Sequence, residues 1–258
     1  KTSSRRLISK MKALILAAGY ATRLYPLTKD FPKPLLKVGK KTIIDYIIDR
    51  VERIKDIDEI IVITNDKFIS QFQNWSMKVK SNKKLKIFND LTKTEADKRG
   101  AIGDINFAIE NGGLNEDTLI IGGDNLFDWY LEDFVRFAES KRSSSVGLYD
   151  IKDKNAAKIY GVVKIDEDNK IIDFKEKPTE PESTLVAMCL YYFPKEKLDF
   201  IREYLEIKTD KQDATGFYID WLSKRDNVYG FIFGGHWYDI GHRDFYNEAK
   251  QTFLAKAD

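Results

Sequence analysis

The stretch that decides the class of fold is KALILAAG, residues 12–19. Its short apolar run covers residues 12–17 and is followed by Gly19. Such a run next to a turn residue is typical of a buried strand in a parallel sheet. We therefore predict a first strand that leads into a loop, and we expect this loop to extend to about residue 38.

Strands and helices alternate after this loop. Isoleucine and valine recur at helical spacing over residues 43–54, which predicts an amphipathic helix with Thr42 as its N-cap. Strands are predicted at residues 59–64, 85–88 and 118–121, and helices near residues 67–79, 102–110 and 131–140. This alternation indicates βαβ units and a parallel sheet.

The second half of the chain has a more mixed or antiparallel pattern. Strands are predicted at residues 145–149, 161–165, 171–174, 185–193 and 228–233, and helices near residues 197–205, 217–224 and 243–254. We therefore predict an α/β fold with a Rossmann-like, mainly parallel mixed sheet flanked by helices. A smaller region is expected to be inserted in the second half.

Residues 1–10 are basic, contain serine and have no apolar core segment, so we interpret them as an artificial addition or a loosely attached leader. No linker is evident in residues 11–258, which we expect to form a single domain. The two halves should therefore share one continuous fold, with a cleft between them.

Composition gives no sign of a nucleic-acid or membrane partner. The 43 Lys and Arg residues nearly balance the 41 Asp and Glu residues, so any site for an anion must be local. The longest apolar runs are far shorter than the roughly 20 residues that span a bilayer. Cys189 is the only cysteine, which excludes an intrachain disulfide and favours a cytoplasmic location.

The loop after the first strand is the first place to look for a site, because ligands of open parallel sheets bind beyond the carboxyl ends of the strands. Gly19 allows close approach of the backbone to a phosphate, and Arg23 and Lys33 carry fixed positive charges near prolines. The loop matches neither the P-loop nor the GxGxxG pattern. Composition alone favours a polyanion site and an ordinary surface loop about equally.

Residues 17–35 resemble the signature loop of the sugar-1-phosphate nucleotidylyltransferase family, which includes thymidylyl-, uridylyl- and guanylyltransferases. The usual loop has a second glycine where this chain has Ala21, and its methyl group is expected to narrow the approach to the nucleotide. The resemblance implies that Arg23 stabilises the reacting phosphates and that Lys33 holds the pyrophosphate side. It also implies nucleotide contacts from the backbone near Leu16, Ala18 and Gly19.

Two further motifs resemble the metal-binding segments of the family. Residues 122–125, GGDN, follow an apolar strand, and residues 237–241 read WYDIG. Taken alone, the first motif favours a simple turn. The resemblance implies that Asp124 and Asp239 bind Mg²⁺, which takes carboxylate and phosphate oxygens and water. Zinc held by His236 and His242 is disfavoured, since a catalytic zinc needs three protein ligands.

Residues 160–163 and 174–178 resemble the segments of the family that line the pocket for the sugar phosphate, which is the acceptor of the nucleotidyl group. In the family, the glycine here (Gly161) leaves room for a sugar ring, while Glu176 and Lys177 meet its hydroxyls and phosphate. Without the resemblance, Glu176 and Lys177 would be a solvated charged turn. The implied division is a nucleotide-binding part at about 11–150, a smaller sugar-binding part at about 151–241, and a C-terminal helix at about 243–254.

The base-binding residues are less evident from the sequence. Asn89 stands where many pyrimidine-specific members have a glutamine that reads the base, and its amide makes the same pair with a shorter reach. Gly100 begins a segment that resembles the glycine-bearing helix entry against the base. The intervening residues 90–99 are longer and more charged than the family pattern, and they are expected to remodel the base pocket.

These residues together predict an enzyme that transfers a nucleotidyl group from an NTP to a sugar 1-phosphate with Mg²⁺. Three alternatives stay open: a cytidylyltransferase acting on phosphocholine or another non-sugar phosphate, a non-catalytic sensor of nucleotide-sugars, and a dehydrogenase, which lacks its dinucleotide fingerprint. Cys189 as a nucleophile is disfavoured, since it lies in an apolar strand. A homo-oligomer is left open.

Overall fold

The computed structural model describes residues 10–207, 214–241 and 243–254, with side chains described up to residue 251. Residues 1–9 of the expected leader and His242 therefore lie outside the described residues. The strands are β1 Met11–Leu16, β2 Lys37–Val38, β3 Lys41–Thr42, β4 Ile57–Thr64, β5 Lys84–Asn89, β6 Asp117–Gly122, β7 Asn125–Phe127, β8 Ser144–Asp150, β9 Gly161–Ile165, β10 Ile171–Glu176, β11 Leu185–Phe193, β12 Val228–Phe233 and β13 Trp237–Asp239. The helices are α1 Ile43–Val51, α2 Ile69–Ser76, α3 Gly100–Gly112, α4 Leu131–Lys141, α5 Lys154–Ala157, α6 Asp199–Glu206, α7 Thr215–Ser223 and α8 Arg243–Leu254.

One mixed sheet runs through the part of the chain that the structure describes. Its strand order is β10-β9-β11-β6-β1-β4-β5, and β8 joins β11 and is itself paired with β12. The pairs β1–β4, β1–β6, β4–β5 and β8–β12 are parallel. Strand β11 is antiparallel to β6, β8 and β9, and so connects the parallel half to the second half. The predicted α/β fold with a mixed, mainly parallel sheet flanked by helices is confirmed.

Strand β1 lies at the centre of this sheet and is buried on both faces. Ala13 and Ile15 pack in one apolar cluster with α1, α2 and α4. Leu14 packs in the opposite cluster with α3, α6 and α7. Because helices cover both faces, the strand is apolar at successive positions and does not alternate with polar residues.

A third apolar cluster lies under the loop that follows β1. Leu24 and Leu36 from the loop pack in it with Ile240 after β13 and with Tyr246 of α8. The Tyr246 hydroxyl donates a 2.7 Å hydrogen bond to the carbonyl oxygen of Lys37. The C-terminal helix therefore packs against the loop. Arg23, next to the buried Leu24, is thus carried by a loop segment that is fixed by apolar contacts.

The sequence did not predict five short elements, namely β2, β3, β7, β13 and α5. Elements of two to four residues are too short to show a hydrophobic period, and a short strand forms only where tertiary packing brings it a partner. Strands β7 and β13 pair with each other across more than a hundred residues of sequence. No helix within the described ranges has the length and apolar character that crossing a membrane requires.

The predicted N-cap of α1 is confirmed. The Thr42 hydroxyl accepts a 3.3 Å hydrogen bond from the backbone amide of Asp45, and the Asp45 carboxylate accepts a 2.9 Å bond from the amide of Thr42. The same carboxylate also accepts a 2.9 Å bond from Trp75 Nε1 of α2. This reciprocal capping box begins the helix, and the bond from Trp75 attaches it to α2.

We expect Thr42→Ala to lower the free energy of unfolding by about 0.5 to 2 kcal/mol, because an amide at the start of α1 loses its acceptor. Urea unfolding at neutral pH measures this change. Thr42→Ser retains the hydroxyl and is expected to stay within a few tenths of a kcal/mol of the unmodified protein. Equal loss of stability in the two variants would show that packing of the threonine methyl, and not the cap, is responsible.

Candidate active site

The candidate site is built where the carboxyl end of β1 meets the end of β6. Leu16 is paired with Gly122, and the amide of Gly123 donates a 2.8 Å hydrogen bond to the Leu16 carbonyl oxygen. A Cβ atom at Gly123 would lie 2.7 Å from that oxygen and 3.1 Å from Pro34 Cγ. Glycine is therefore required here for the two loops to touch.

This close approach brings a cation of the first loop onto a carboxylate of the second. Lys33 Nζ lies 2.6 Å from Asp124 Oδ2. Both side chains are largely buried, with 16% and 30% of their surfaces exposed. The pair links residues 91 positions apart in the sequence, and it shows that Lys33 faces the site and not the solvent.

The second carboxylate is placed by the antiparallel pairing of β7 with β13. Asp239 is the register partner of Asn125, and the amide of Ile240 donates a 3.1 Å hydrogen bond to the carbonyl oxygen of Asp124. Trp237 Nε1 donates a 2.6 Å bond to Asn125 Oδ1 and fixes the pairing from the side. The two predicted metal ligands are thus brought together, Asp124 in the turn just before β7 and Asp239 at the end of β13.

The two carboxylates differ in their ionisation. Burial opposes the charge on Asp124, but the charge and hydrogen bond of Lys33 outweigh it and lower the pKa of this carboxyl. Burial and the negative charge of Asp124 raise the pKa of Asp239 to about 7, against the opposing charges of Lys33, Arg23 and Lys177. Two buried carboxylates that share a site repel each other, and a cation between them removes that cost.

This donor set fits a hard divalent cation. Two carboxylates supply oxygen ligands, and the remaining positions are left for phosphate oxygens and water, as Mg²⁺ prefers. Within the described parts of the chain, no group of three or more His, Cys, Asp and Glu residues is assembled in a metal-binding arrangement. His236 instead pairs with Asp128, through Nδ1 at 2.9 Å from Oδ2.

Two cavities meet the carboxylates. The first has a volume of about 270 Å³ and contains Asp124 in its wall. Its other lining residues are mostly small or acidic: Leu16, Ala18, Gly19, Gly100, Ala101 and Gly122 with Asp90, Lys98, Asp104 and Cys189. Four of the five predicted nucleotide-binding residues, Leu16, Ala18, Gly19 and Gly100, are therefore gathered around one cavity.

The second cavity has a volume of about 290 Å³ and is more basic. Arg23, Lys177 and Asp239 line it, so a predicted catalytic cation, an acceptor residue and a metal ligand come together. Its other lining residues are Gly241, which ends the 237–241 motif, and three residues that the sequence did not single out, Lys158, Ile159 and Phe245. Lys158 and Ile159 lie just before the 160–163 motif, and this proximity is the signal that could have found them.

Ala21 is not among the residues that line either cavity, and its effect on the approach to the nucleotide stays a prediction. Its backbone takes the left-handed conformation, with φ of 50°, and its carbonyl oxygen accepts a 2.7 Å hydrogen bond from the buried Thr28 hydroxyl. Glycine adopts this conformation without strain, whereas alanine does so at a cost. Alanine in place of the usual glycine at position 21 therefore adds backbone strain to the loop.

The structure does not place Asn89 in the lining of the first cavity. Its amide donates a 2.8 Å hydrogen bond to Asp66 Oδ1, and its Oδ1 accepts a 2.8 Å bond from the amide of Leu91. The next residue, Asp90, lines the cavity instead. Successive side chains at a strand end point to opposite sides, so a shift of one position exchanges the residue that faces the ligand.

Gly161 and Glu176 are packed against the protein and not against open space. A Cβ atom at Gly161 would lie 2.5 Å from the ring of Phe174 and 3.1 Å from Glu176 Oε2. The Glu176 carboxylate reaches the first turn of α7, where a Cβ atom at Gly216 would lie 1.9 Å from it. The space left by Gly161 is therefore filled by protein, while Lys177, with a left-handed φ of 47°, turns toward the second cavity.

Cys189 borders the first cavity at an irregular point of β11. Its φ is 53°, and the register of β11 on β8 shifts between Ala187 and Tyr191. Burial, with the nearby charges of Asp124 and Asp239, raises the pKa of the thiol to about 12. The thiol therefore stays protonated at neutral pH, which does not suit a nucleophile.

Comparison with known proteins places the whole arrangement in a family. The family model described as "Nucleotidyl transferase" matches residues 12–256. The bifunctional protein GlmU of Methanocaldococcus jannaschii is 30% identical over 247 residues, which are 95% of this chain and 55% of that protein. GlmU of Methanococcus aeolicus is 29% identical over 90% of this chain and 51% of its own length. The chain thus spans about half the length of the curated relatives it matches.

Solved structures show the same fold. A UDP-glucose pyrophosphorylase complexed with UDP-glucose superposes with a TM-score of 0.79 at 22% identity, covering 96% of this chain and 99% of that one. An apo UDP-glucose pyrophosphorylase gives the same TM-score at 20% identity, covering 96% and 100%. The expected family and fold are therefore confirmed by independent comparisons.

In metal-free buffer, we expect Asp239→Asn to change the free energy of unfolding, relative to the unmodified protein, more favourably at pH 8 than at pH 5. The Asp239 pKa is raised from 3.8 to about 7, so between these values the unfolded state binds fewer protons and stability falls as pH rises. The side-chain amide of the Asp239→Asn variant does not titrate, so the variant lacks this fall in the free energy of unfolding, which amounts to about 1 to 4 kcal/mol. Urea unfolding with EDTA at both pH values measures it.

Asp199→Asn is the matched control, because this carboxylate of α6 is 79% exposed. It should leave the pH dependence of unfolding unchanged. A destabilisation by Asp239→Asn that is equal at pH 5 and pH 8 would contradict the repulsion between the two carboxylates.

Proposed function

The chain belongs to the nucleotidyl transferase family, and we propose that it transfers a nucleotidyl group from an NTP to a sugar 1-phosphate. Pyrophosphate leaves and a nucleotide-diphospho-sugar forms. The observation that carries this proposal is that two cavities are lined by two interacting carboxylates, Asp124 beside Lys33 in the first and Asp239 with Arg23 and Lys177 in the second. Two cavities with neighbouring charges suit two substrates that react with each other.

The reaction needs little acid–base chemistry. The second pKa of a phosphate monoester is about 6, so a sugar 1-phosphate is mostly a dianion at neutral pH and attacks without a general base. The barrier comes from bringing this dianion onto the α-phosphate of another polyanion. Positive charge and fixed positions reduce that barrier, and the described cations supply both.

Lys33 and Arg23 are assigned to the phosphates of the NTP. Lys33 is held close to Asp124 at the end of the first cavity, where it can follow the charge of the leaving pyrophosphate. Arg23 lines the second cavity beside Asp239 and can contact the reacting phosphates from the acceptor side. A guanidinium makes short, charge-assisted bonds to phosphate that strengthen as charge develops.

Asp124 and Asp239 are proposed to hold Mg²⁺. When bound, the ion neutralises phosphate oxygens and helps to orient the triphosphate. The protein places the two carboxylates through the β7–β13 pairing. Lys33, which is bonded to Asp124 in the free protein, is expected to exchange this carboxylate for the phosphates of the substrate. Because the ion removes the repulsion between the carboxylates, binding of metal and nucleotide should be coupled.

Lys177 is assigned to the phosphate of the acceptor. It lines the second cavity with Arg23, and 53% of its side chain is exposed. Its neighbour Glu176, 3.4 Å away, is only 10% exposed and anchors the turn against α7. Glu176 is therefore proposed to position Lys177, with sugar contacts left as a prediction.

Similarity to named proteins supports the choice of substrate class. The relatives carry the name of a bifunctional protein, and the solved neighbours are named as UDP-glucose pyrophosphorylases, one of them with UDP-glucose bound. Both solved structures are thus named for an enzyme of nucleotide-sugar chemistry. The division at about residue 150, a cytoplasmic location and a homo-oligomer stay predictions.

The deciding experiment is a matrix of ATP, CTP, GTP, UTP and dTTP against several sugar 1-phosphates and phosphocholine. Pyrophosphate release with Mg²⁺ is the readout. Release with a sugar 1-phosphate supports the proposal, and release with phosphocholine alone would assign a non-sugar acceptor. Nucleotide-sugar binding without release for any pair would indicate a sensor.

We expect Arg23→Ala to lower kcat by about 10² to 10³-fold while the fold is retained, because the loss falls on the charge that develops in the transition state. Steady-state pyrophosphate release measures kcat, and circular dichroism checks the fold. Arg136→Ala on α4 is the control, since that side chain is 73% exposed and pairs with Asp133. Near-normal turnover of a folded Arg23→Ala protein would remove this residue from the reaction.

Lys177→Ala is expected to raise KM for the sugar 1-phosphate about tenfold or more, with a much smaller change in NTP affinity, because one charged contact to the acceptor is lost. The control is Lys175→Ala near the end of β10, whose ammonium lies 2.6 Å from Glu182 and which does not line the cavity. Calorimetry with each substrate separates the two effects. Loss of NTP binding with intact acceptor binding would reverse the assignment.

Gly19→Ala provides a steric test of the first cavity. A Cβ atom there meets no protein atom within 4 Å, so we expect stability to stay within about 0.5 kcal/mol. The methyl group would occupy space in the nucleotide cavity, and NTP affinity should fall while sugar 1-phosphate binding is retained. Unchanged NTP affinity would place the nucleotide elsewhere.

A further inference from the structure

The second cavity holds a cation to which the proposed reaction assigns no role. Lys158 lines this cavity together with Arg23, Lys177 and Asp239. Within the described ranges of the chain, the ammonium group of Lys158 has neither an ion pair nor a hydrogen bond. Lys177, by contrast, lies 3.4 Å from the Glu176 carboxylate. The charge of Lys158 is therefore available to a ligand of the cavity.

The backbone that carries Lys158 is fixed on both sides. Before it, the Asp153 carboxylate caps α5 by accepting a 2.7 Å hydrogen bond from the amide of Asn155, and Ala157 is fully buried. After it, the amide of Tyr160 donates a 3.1 Å bond to the Ala157 carbonyl oxygen. The fold therefore sets the position of Lys158 at the cavity, although the side chain itself is exposed.

The turn that follows Lys158 is attached to the candidate active site by two contacts. The ring of Tyr160 packs against Trp237 of β13, with 5.3 Å between the ring centroids. The amide of Lys177 donates a 3.0 Å hydrogen bond to the Tyr160 carbonyl oxygen. Lys158 and Lys177 therefore lie on turns that are bonded to each other, and both line the cavity that contains Asp239.

The described lining of this cavity has an excess of positive charge. The cations of Arg23, Lys158 and Lys177 stand against one carboxylate, that of Asp239. Asp239 is also proposed to bind Mg²⁺, and the bound ion would offset its negative charge. The cavity therefore favours a ligand with more than one negative charge, such as the phosphate dianion of a sugar 1-phosphate.

A phosphate monoester offers three free oxygen atoms to its binding site. In the proposed reaction one of these oxygens attacks the α-phosphate of the NTP, so the other two have to be held by the protein. Lys177 is assigned to the acceptor phosphate, while Arg23 is assigned to the phosphates of the NTP. Ammonium groups make charge-assisted bonds to phosphate oxygens, and Lys158 supplies a second ammonium group for the acceptor.

The rest of the cavity suits an organic ester and not a bare anion. Ile159 lines it with 45% of its surface exposed, and Phe245 lies in the same wall. A bare phosphate ion would leave these apolar groups in water. The C–H groups of a sugar ring can cover them, which is favourable because apolar surface is removed from water.

We propose that Lys158 is a further acceptor-binding residue, which holds the phosphate of the sugar 1-phosphate together with Lys177. The inference rests on the proposed function, since it takes the second cavity as the acceptor subsite. Lys158 lines the second cavity and not the first, so it is assigned to the acceptor and not to the NTP.

Lys158→Gln tests this role, because it removes the charge and retains much of the side-chain length. Calorimetry of the full chain with glucose, galactose, mannose and N-acetylglucosamine 1-phosphates identifies the ester that binds most tightly. Its affinity should fall about tenfold in Lys158→Gln, as expected for one lost charge-assisted contact, and KM in pyrophosphate release should rise by the same factor. NTP affinity with Mg²⁺ should change by less than about twofold. Lys158→Arg keeps the charge and should restore most of the ester affinity.

Lys154→Gln is the matched control. It removes the same charge four positions earlier, at the start of α5, but Lys154 lines a different cavity with Lys164 and Glu182. This variant should bind the ester as the unmodified protein does. An equal loss of affinity in Lys154→Gln and Lys158→Gln would show a general electrostatic attraction and overturn the assignment of Lys158.

Two further results would also overturn the proposal. The first is an unchanged ester affinity in Lys158→Gln. The second is an unmodified protein that neither binds any of the four esters nor releases pyrophosphate with them.

The binding measurement separates this inference from the proposed function. A loss of ester affinity confined to Lys158→Gln, without pyrophosphate release from any pair of substrates, supports the inference and contradicts the transfer reaction. Pyrophosphate release with an unchanged KM for the ester in Lys158→Gln supports the reaction and overturns the inference.

Discussion

The candidate site depends on the pairing of two three-residue strands, β7 and β13, that are more than a hundred residues apart in the sequence. This pairing sets Asp239 beside Asn125 and Asp124, and the bond from Trp237 Nε1 to Asn125 keeps it in register. Such short strands have few backbone bonds of their own, so their geometry is maintained by the surrounding packing. The apolar cluster with Leu126, Ile240 and Tyr246 supplies that packing and also supports the loop that carries Arg23. One tertiary contact thus aligns the carboxylates and the cations together.

The charges gathered at this point are unfavourable for the folded chain alone. Asp239 is held as a carboxyl of raised pKa beside Asp124, and Ala21, Lys177 and Cys189 have left-handed backbones without being glycine. Strain and charge crowding of this kind persist only where the surrounding structure fixes them, and they concentrate at functional sites. A substrate with phosphates and a divalent cation would relieve the crowding, because it brings opposite charge to both the carboxylates and the cations. The local cost therefore agrees with a site built for two anionic substrates.

The sheet explains why the two cavities can differ in character. In its parallel half, the carboxyl ends of β1 and β6 and the residue after β5 line the first cavity, where small residues and carboxyls prevail. Antiparallel strand β11 then connects it to β9 and β10, beyond which the turn at Lys177 lies in the basic second cavity. Strand β11 can border the first cavity with Cys189 because its register shifts there. The lining of the cleft thus changes from small and acidic residues to basic residues where the strands change direction.

The sequence alone determined the class of fold, since apolar strands and amphipathic helices have periods that are visible over five or more residues. It also indicated Arg23, Lys33, Asp124 and Asp239, because each lies in a motif long enough to resemble a family. It placed the base contact at Asn89, whereas the cavity is lined by Asp90 and Asp104, since one step along a strand end reverses the direction of a side chain. It gave Gly161 a role in leaving space, but Phe174 of the neighbouring strand fills that space. Only the tertiary structure could decide these points, because which side chains share a cavity depends on contacts between elements that are distant in the sequence and have no local period.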